Sequence, residues 1–318
     1  MEIDRLSRRE AVKTGIAAAV GVALGQPLFG ETAALQTLPA VTKPIPSTGE
    51  RIPVIGLGTN AYGVQTDEQK APLREVLEHM PKIGGTVIDT ARSYGRSEAV
   101  IGELLQSIGN RSSYFLATKT PITGDISNPQ AQFDVSFQNL RTDRIDLMQI
   151  HNLYGLDAFM PVYEKAKAAG RIRYIGISMV EDFDELMAAM RKYPFDFIQV
   201  DYSIENREAA QPALELAQER RMAVLINQPF GGRRNAKSMF SRTATRALPP
   251  WATEFDATTW SHFFLKYVVS HPAVTAAIPG TTQLRHLQDN QGAGRGRLPN
   301  AEQRRRIEAY WDSVSKEA

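Results

Sequence analysis

Four residues able to move protons or hold charge stand at or just past the ends of short apolar runs. Val87-Ile88-Asp89 ends in an acid and continues through Thr90 to Tyr94, Phe115-Leu116-Ala117-Thr118 ends in Lys119, and Leu147-Met148-Gln149-Ile150 ends in His151. A free phenol, with a pKa of about 10, is a poor acid near neutral pH. A neighbouring ammonium stabilises the phenolate and lowers that value, each unit being worth about 1.4 kcal/mol. Lys119 can supply this charge to Tyr94. A lysine buried alone sheds its proton, so it needs a carboxylate, and Asp89 can provide one. His151 would then hydrogen-bond a substrate oxygen and orient it. The set suits proton donation to a carbonyl while a hydride arrives from a cofactor. Singly, each residue has a plainer reading: Asp89 as a helix cap, Tyr94 as packing in a turn, Lys119 as a solvated cation, His151 as a satisfied structural histidine.

Such a set requires elements that end side by side. Short β-branched runs at 52–58, 86–89, 114–119, 146–151, 172–178, 195–201, 223–227 and 275–278 alternate with helical patterns at 68–80, 97–107, 129–141, 156–169, 182–192, 207–221, 258–270 and 283–292. Strand alternating with helix implies a parallel sheet, and eight repeats imply a closed (β/α)8 TIM barrel of a single domain. The alternative, a doubly wound open sheet, would carry a Gly-rich phosphate loop after its first strand. Gly56-Leu57-Gly58-Thr59-Asn60-Ala61 lacks the third glycine and does not open a helix. Barrels place their chemistry at the carboxyl ends of the strands. The residues expected there are Thr59 and Asn60, Asp89 with Tyr94, Lys119, His151 with Asn152, Ser178, Gln199, Asn227 and Thr281.

The chain has 318 residues, 42% hydrophobic and 23% charged, with a net charge of +2. Nothing global therefore points to nucleic acid or a membrane surface. There are no cysteines, which excludes disulfides, thiol catalysis and thiolate metal sites and would suit an oxidising compartment. No metal site is expected. The helical tail with Arg304-Arg305-Arg306 and Trp311 lacks aromatic interleaving and reads as a solvated helix face.

Residues 1–34 read as a signal peptide. Ser7-Arg8-Arg9 and Lys13 make a basic start, Thr14 begins a weakly apolar run to Leu24, and Thr32-Ala33-Ala34 gives a small-residue exit. The apolar run is shorter than the roughly 20 residues that span a bilayer, so no stable membrane insertion is expected. Paired arginines before a mild apolar core resemble a twin-arginine export signal, which predicts a periplasmic protein. A lead-in segment at 35–50 and a barrel at 51–318 complete the expected organisation.

The segments Ile55-Gly56-Leu57-Gly58-Thr59, Asp89-Thr90-Ala91-x-Ser93-Tyr94-Gly95-x-Ser97-Glu98, Ala117-Thr118-Lys119 and Ile278-Pro279-Gly280-Thr281, with the strand-final His151, resemble the aldo-keto reductases over residues 45–290. That resemblance implies an eight-stranded barrel binding an extended NADP(H), with NAD(H) as the alternative, and a tetrad of Asp89, Tyr94, Lys119 and His151 with Tyr94 as general acid. It implies that Ser178 and Gln199 contact the nicotinamide carboxamide. It also implies that the loop Pro229-Phe230-Gly231-Gly232-Arg233-Arg234 wraps the pyrophosphate, a task apt for glycine amides and arginines. Thr281, Gln283 and Asn290 match positions that contact the adenosine phosphate, and Arg285 can supply the cation that many members carry at position 286. The chain departs from the family pattern at Met179, where many members have asparagine, at Asn227, where many stack a tyrosine, and at Gly280 and His286.

The expected partner is a small-molecule carbonyl substrate, handled by a monomer. Asn152, Tyr154, Phe240 and Trp251 are candidates for an aromatic substrate pocket or for lid packing. Two other functions fit the same barrel: a non-catalytic nucleotide-binding regulator, suggested by the departures, and Schiff-base lyase chemistry at Lys119. The latter needs an unpaired, desolvated lysine, which Asp89 argues against.

Overall fold

The computed structural model describes residues 38–207, 210–231 and 238–316. The expected signal peptide and Gly232-Arg233-Arg234 lie outside the described residues. Eight parallel strands run in sequence order: β3 (Leu57–Gly58), β4 (Val87–Asp89), β5 (Phe115–Lys119), β6 (Ile145–His151), β7 (Ile172–Met179), β8 (Phe197–Asp201), β9 (Ala223–Asn227) and β10 (Ala276–Ala277). Parallel bridges Ile55↔Ala277 and Gly58↔Gly280 join the last strand to the first. The curled sheet thus closes, as the alternating pattern predicted.

Helices follow the strands: α1 (Asp67–His79), α2 (Ser97–Ile108), α3 (Pro129–Leu140), α4 (Leu156–Ala168), α5 (Phe183–Lys192), α6 (Gln211–Glu219), α7 (Met239–Thr243), α8 (Trp260–Val269) and α9 (Leu284–Ala293), with α10 (Ala301–Lys316) at the end. Local chemistry sets several starts. Thr66 and Gln69 form a reciprocal capping box before α1, satisfying amides that the first turn cannot pair. Asn128 and Asp182 accept from Ala131 N at 3.0 Å and Glu185 N at 2.9 Å before α3 and α5.

Side chains alternate between two cores because successive strand residues face opposite sides. Val87, Phe115, Ala117, Leu147, Tyr174, Phe197, Leu225 and Ala276 fill the barrel interior, while Ile88, Leu116, Met148, Ile150, Ile175, Ile177, Ile198 and Val224 pack outward with the helices. Counting on by twos along the inner face leads to Asp89, Lys119, Gln149, His151, Ser178, Gln199 and Asn227. The polar site is the top layer of the barrel's own interior.

The run at 52–58 is not one strand. Residues Arg51–Pro53 form β2, paired antiparallel with β1 (Thr42–Pro44), and only Leu57–Gly58 joins the barrel. The lead-in segment is therefore a hairpin, and its Ile45 and Ile52 belong to the interior cluster and plug the barrel floor. Arg173 ties this plug down by pairing with both Glu50 and Asp146, and the Tyr174 hydroxyl donates to Glu50 at 2.6 Å. The tail helix α10 also departs from a purely solvated face. Trp311 is buried, and Arg304 donates to the Tyr202 hydroxyl at 2.7 Å and Ser270 Oγ at 2.8 Å. An apolar indole and a guanidinium stem cover the outside of the barrel there.

Candidate active site

The carboxyl ends of the strands surround a cavity of about 490 Å³. Thr59 and Asn60, Asp89 and Tyr94, Lys119, His151 and Asn152, Ser178, Gln199, Asn227, Pro229, Phe230 and Gly231 all line it, as expected from the strand ends. Gly58, Val180, Gln228, Ile278 and Gly280 line it too and were not expected there. They could have been found by extending each strand-end window by one or two residues. Asn152 and Gln228, which directly follow His151 and Asn227, have left-handed backbones with φ of 50° and 48°. Such conformations are sparsely populated and gather where a site constrains the chain.

At the centre, Lys119 Nζ donates to Asp89 Oδ2 at 2.5 Å and to the Thr90 carbonyl at 2.9 Å. The two side chains are only 1% and 2% exposed, so either charge alone would be costly. Burial works against the Lys119 ammonium, but the Asp89 and Tyr94 oxygens outweigh it and hold its pKa above the usual value. Burial pushes the Asp89 carboxyl up, and the ammonium with the Gln199 and Gln149 amides pulls it back only in part. Lys119 Nζ lies 5.1 Å from the Tyr94 ring centre, and the nearby phenol oxygen is one of the groups favouring its charge. The amine and phenol are therefore neighbours.

The His151 ring stands edge-on to Tyr94, with ring centres 6.2 Å apart. Burial first, and then the Lys119 charge, lower its pKa to about 3, so it is neutral near pH 7. Ser93 Oγ lies 3.3 Å from its Nδ1. Thr59 holds the other end of the constellation: its hydroxyl donates to the Asp89 carbonyl at 2.8 Å. That engagement makes Thr59 a brace for Asp89 as well as a cavity wall.

Three buried polar atoms in this layer lack a hydrogen-bond partner among the described residues: Ser178 Oγ, Asn227 Oδ1 and Gln149 Oε1. Buried polar atoms are normally paired, so the first two, on cavity-lining residues, fit a polar ligand such as a carboxamide or phosphate ester. Met179 faces the other way, buried in the outer cluster, so this departure from the family pattern does not alter the cavity wall. Gly280 does line the wall. Thr281, Gln283, Arg285 and Asn290 do not line this cavity: Thr281 Oγ1 accepts from Gln283 N at 3.1 Å, Asn290 is buried within α9, and Arg285 is exposed beside His286. They follow Gly280 in the chain, where an extended ligand leaving the cavity could run. Of the substrate-pocket candidates, Asn152 lines the cavity and Phe240 packs on cavity-lining Phe230 with ring centres 4.9 Å apart. Tyr154 is turned to the Gly124 carbonyl. Trp251 packs on Phe255, Phe263 and Tyr310, in the outer layer.

A family profile described as "Aldo/keto reductase family" matches residues 54–312. The chain belongs to the aldo/keto reductases. With that membership comes the oxidoreductase class. Among relatives of this aldo/keto reductase, "Aldo-keto reductase yakc [NADP(+)]" of Schizosaccharomyces pombe is 27% identical over 298 residues, covering 79% of this chain and 86% of the relative. The thermostable aldo-keto reductase Tm1743 superposes with a TM-score of 0.70 at 27% identity, covering 85% of this chain and 99% of that one. Aldo-keto reductase AKR11C1 from Bacillus halodurans, in its holo form, gives a TM-score of 0.70 at 21% identity over 85% of this chain and 96% of that one.

Proposed function

We propose that this aldo/keto reductase is an NADP(H)-dependent carbonyl reductase that converts a small aldehyde or ketone to its alcohol. The observation that carries the reading is the Lys119 ammonium, fixed by Asp89 and set against the Tyr94 phenol in the barrel mouth. When bound, the reduced nicotinamide supplies a hydride to the carbonyl carbon. Tyr94 gives its hydroxyl proton to the carbonyl oxygen, and the adjacent Lys119 charge stabilises the phenolate left behind. Solvent returns the proton to Tyr94. Neutral His151 donates its single N–H to the same oxygen and orients it; a Ser93 hydroxyl donating to Nδ1 leaves Nε2 as that donor. The unpartnered Ser178 hydroxyl and the Gln199 amide are suited to the nicotinamide carboxamide. A Schiff base at Lys119 would require breaking the Asp89 pair and deprotonating the amine, against the direction of its pKa.

NADP(H) is preferred over NAD(H) because Arg285 offers an exposed cation where the adenosine phosphate would lie, and the S. pombe relative is named for NADP(+). Residues 1–34 would export the chain by the twin-arginine route to the periplasm, where it acts as a monomer; cell fractionation and sedimentation test these two points.

The deciding experiment compares wild type with Tyr94→Phe. The variant should lose NADPH-dependent turnover of a generic aldehyde by at least about a hundredfold, while NADPH titrates its fluorescence as in wild type. Retained turnover removes Tyr94 from its role. Tight NADPH binding by wild type without turnover across a broad carbonyl panel would make the chain a nucleotide-binding regulator instead.

A further inference from the structure

We propose that Gln149 is a positioning residue that locks the catalytic carboxylate and the nicotinamide-facing glutamine into one rigid layer, so that the two sides of the reaction are held in register. The inference rests on the carbonyl-reductase reading.

Gln149 is fully buried on β6, two residues before His151 and on the same inward face. Its side-chain N–H2 group donates twice, to Asp89 Oδ1 at 3.2 Å and to Gln199 Oε1 at 2.9 Å. Its own Oε1 has no partner among the described residues. The orientation of this amide is forced, because turning it over would set its oxygen against a carboxylate and a carbonyl. The two donors thus link β4 to β8 across the barrel. Lys119 occupies Asp89 Oδ2 and Gln149 occupies Oδ1, so the carboxylate has no remaining rotational freedom. With Oε1 of Gln199 turned to Gln149, the Gln199 amide nitrogen is left 3.5 Å from Asp89 Oδ2.

The neighbouring strand makes room for this residue. Gly176 pairs with Gln149 in register, and a Cβ at 176 would come within 2.9 Å of Gln149 Cγ and 3.0 Å of Leu147 Cδ1. Tyr163 from α4 donates to the Gln149 carbonyl at 3.3 Å. The ionisable groups facing the side chain are Asp89 from β4, Lys119 from β5 and His151 on its own strand, while β7 and β8 present Gly176 and Gln199. An apolar side chain would fill the same volume, so packing alone does not call for a glutamine.

Two variants of similar shape separate positioning from packing. Gln149→Met removes both donors; it should lower kcat for NADPH-dependent aldehyde reduction by about a hundredfold with little change in the aldehyde KM, and weaken NADPH binding by about tenfold. Gln149→Glu should resemble it at pH 8 and recover turnover as the pH falls towards 6, because a protonated carboxyl can donate to Asp89 where the amide did, as paired carboxyls share a proton. A Gln149→Met protein with wild-type circular dichroism that keeps kcat within about twofold of wild type overturns the proposal, as does a Gln149→Glu protein without low-pH recovery. If wild type itself reduces no carbonyl, the proposed function falls, and the NADPH titration alone decides: equal affinities in wild type and Gln149→Met overturn the inference.

Discussion

His151 is held neutral inside a layer that already contains a cation. Its folded pKa of about 3 lies below the 6.5 of an exposed imidazole. Between these values the unfolded chain binds a proton that the folded chain refuses, so stability is complete above pH 6.5 and is lost as pH falls towards 3. One such group costs about 2 kcal/mol between pH 7 and pH 5. His151→Asn removes the titration and leaves His262 and His271, both also lowered by burial, in place. Urea unfolding should show the variant losing about 2 kcal/mol less than wild type over that interval; equal losses would mean that His151 is not kept neutral by its surroundings. The convergence of the four residues on one cavity was legible in the sequence because Asp89, Lys119 and His151 each end an apolar run and Tyr94 closely follows one. Gln149 was not legible in this way: a lone polar residue within a strand has no visible partner until the barrel brings Asp89 and Gln199 beside it.

At the scale of elements, the strand-helix alternation was readable because buried parallel strands and amphipathic helices have different periods. What was hidden was the division of the apolar stretch at 52–58 between a floor plug and a barrel strand. Both bury isoleucine or leucine equally well, and only pairing distinguishes them. Helix contacts were equally invisible. Gly102 in α2 is buried where the end of α3 crosses it: a Cβ would run into the Asn139 carbonyl oxygen and approach the Leu140 carbonyl carbon to 2.6 Å. Alanine is the better helix former by about 1 kcal/mol, so an exposed site would be stabilised. Here the obstacle is backbone, which cannot rotate aside, and overpacking of this kind costs about 1–3 kcal/mol. Sterics should win, and Gly102→Ala should lower the melting temperature by several degrees while leaving turnover of surviving enzyme near wild type. A raised melting temperature would show that α2 and α3 separate freely.

For the whole molecule, the site exists only when the barrel is closed, since its walls come from strand ends spread between Gly58 and Gly280. The closing seam is slight: β3 and β10 contribute two residues each, and parallel bridges at Ile55↔Ala277 and Gly58↔Gly280 complete it. Gly58, Asn60 and Gly280 line the cavity on the two sides of that seam, and Ser178 and Gln199 line it too. A nucleotide that fills the cavity from Ser178 and Gln199 to Gly58 and Asn60 would touch both sides of the seam, and binding should be linked to closure. At 100 times its dissociation constant a ligand adds about 2.7 kcal/mol to the stability of a folded protein, which for a chain of this size is a rise of roughly 5 °C in melting temperature. NADPH should produce that rise. Arg285 is exposed and outside the cavity, so Arg285→Ala should leave the melting temperature of the free protein unchanged, reduce the NADPH-induced rise and leave any NADH-induced rise intact. Equal rises with NADPH in variant and wild type would remove Arg285 from phosphate recognition. No rise with either nucleotide would dissociate the seam from cofactor binding.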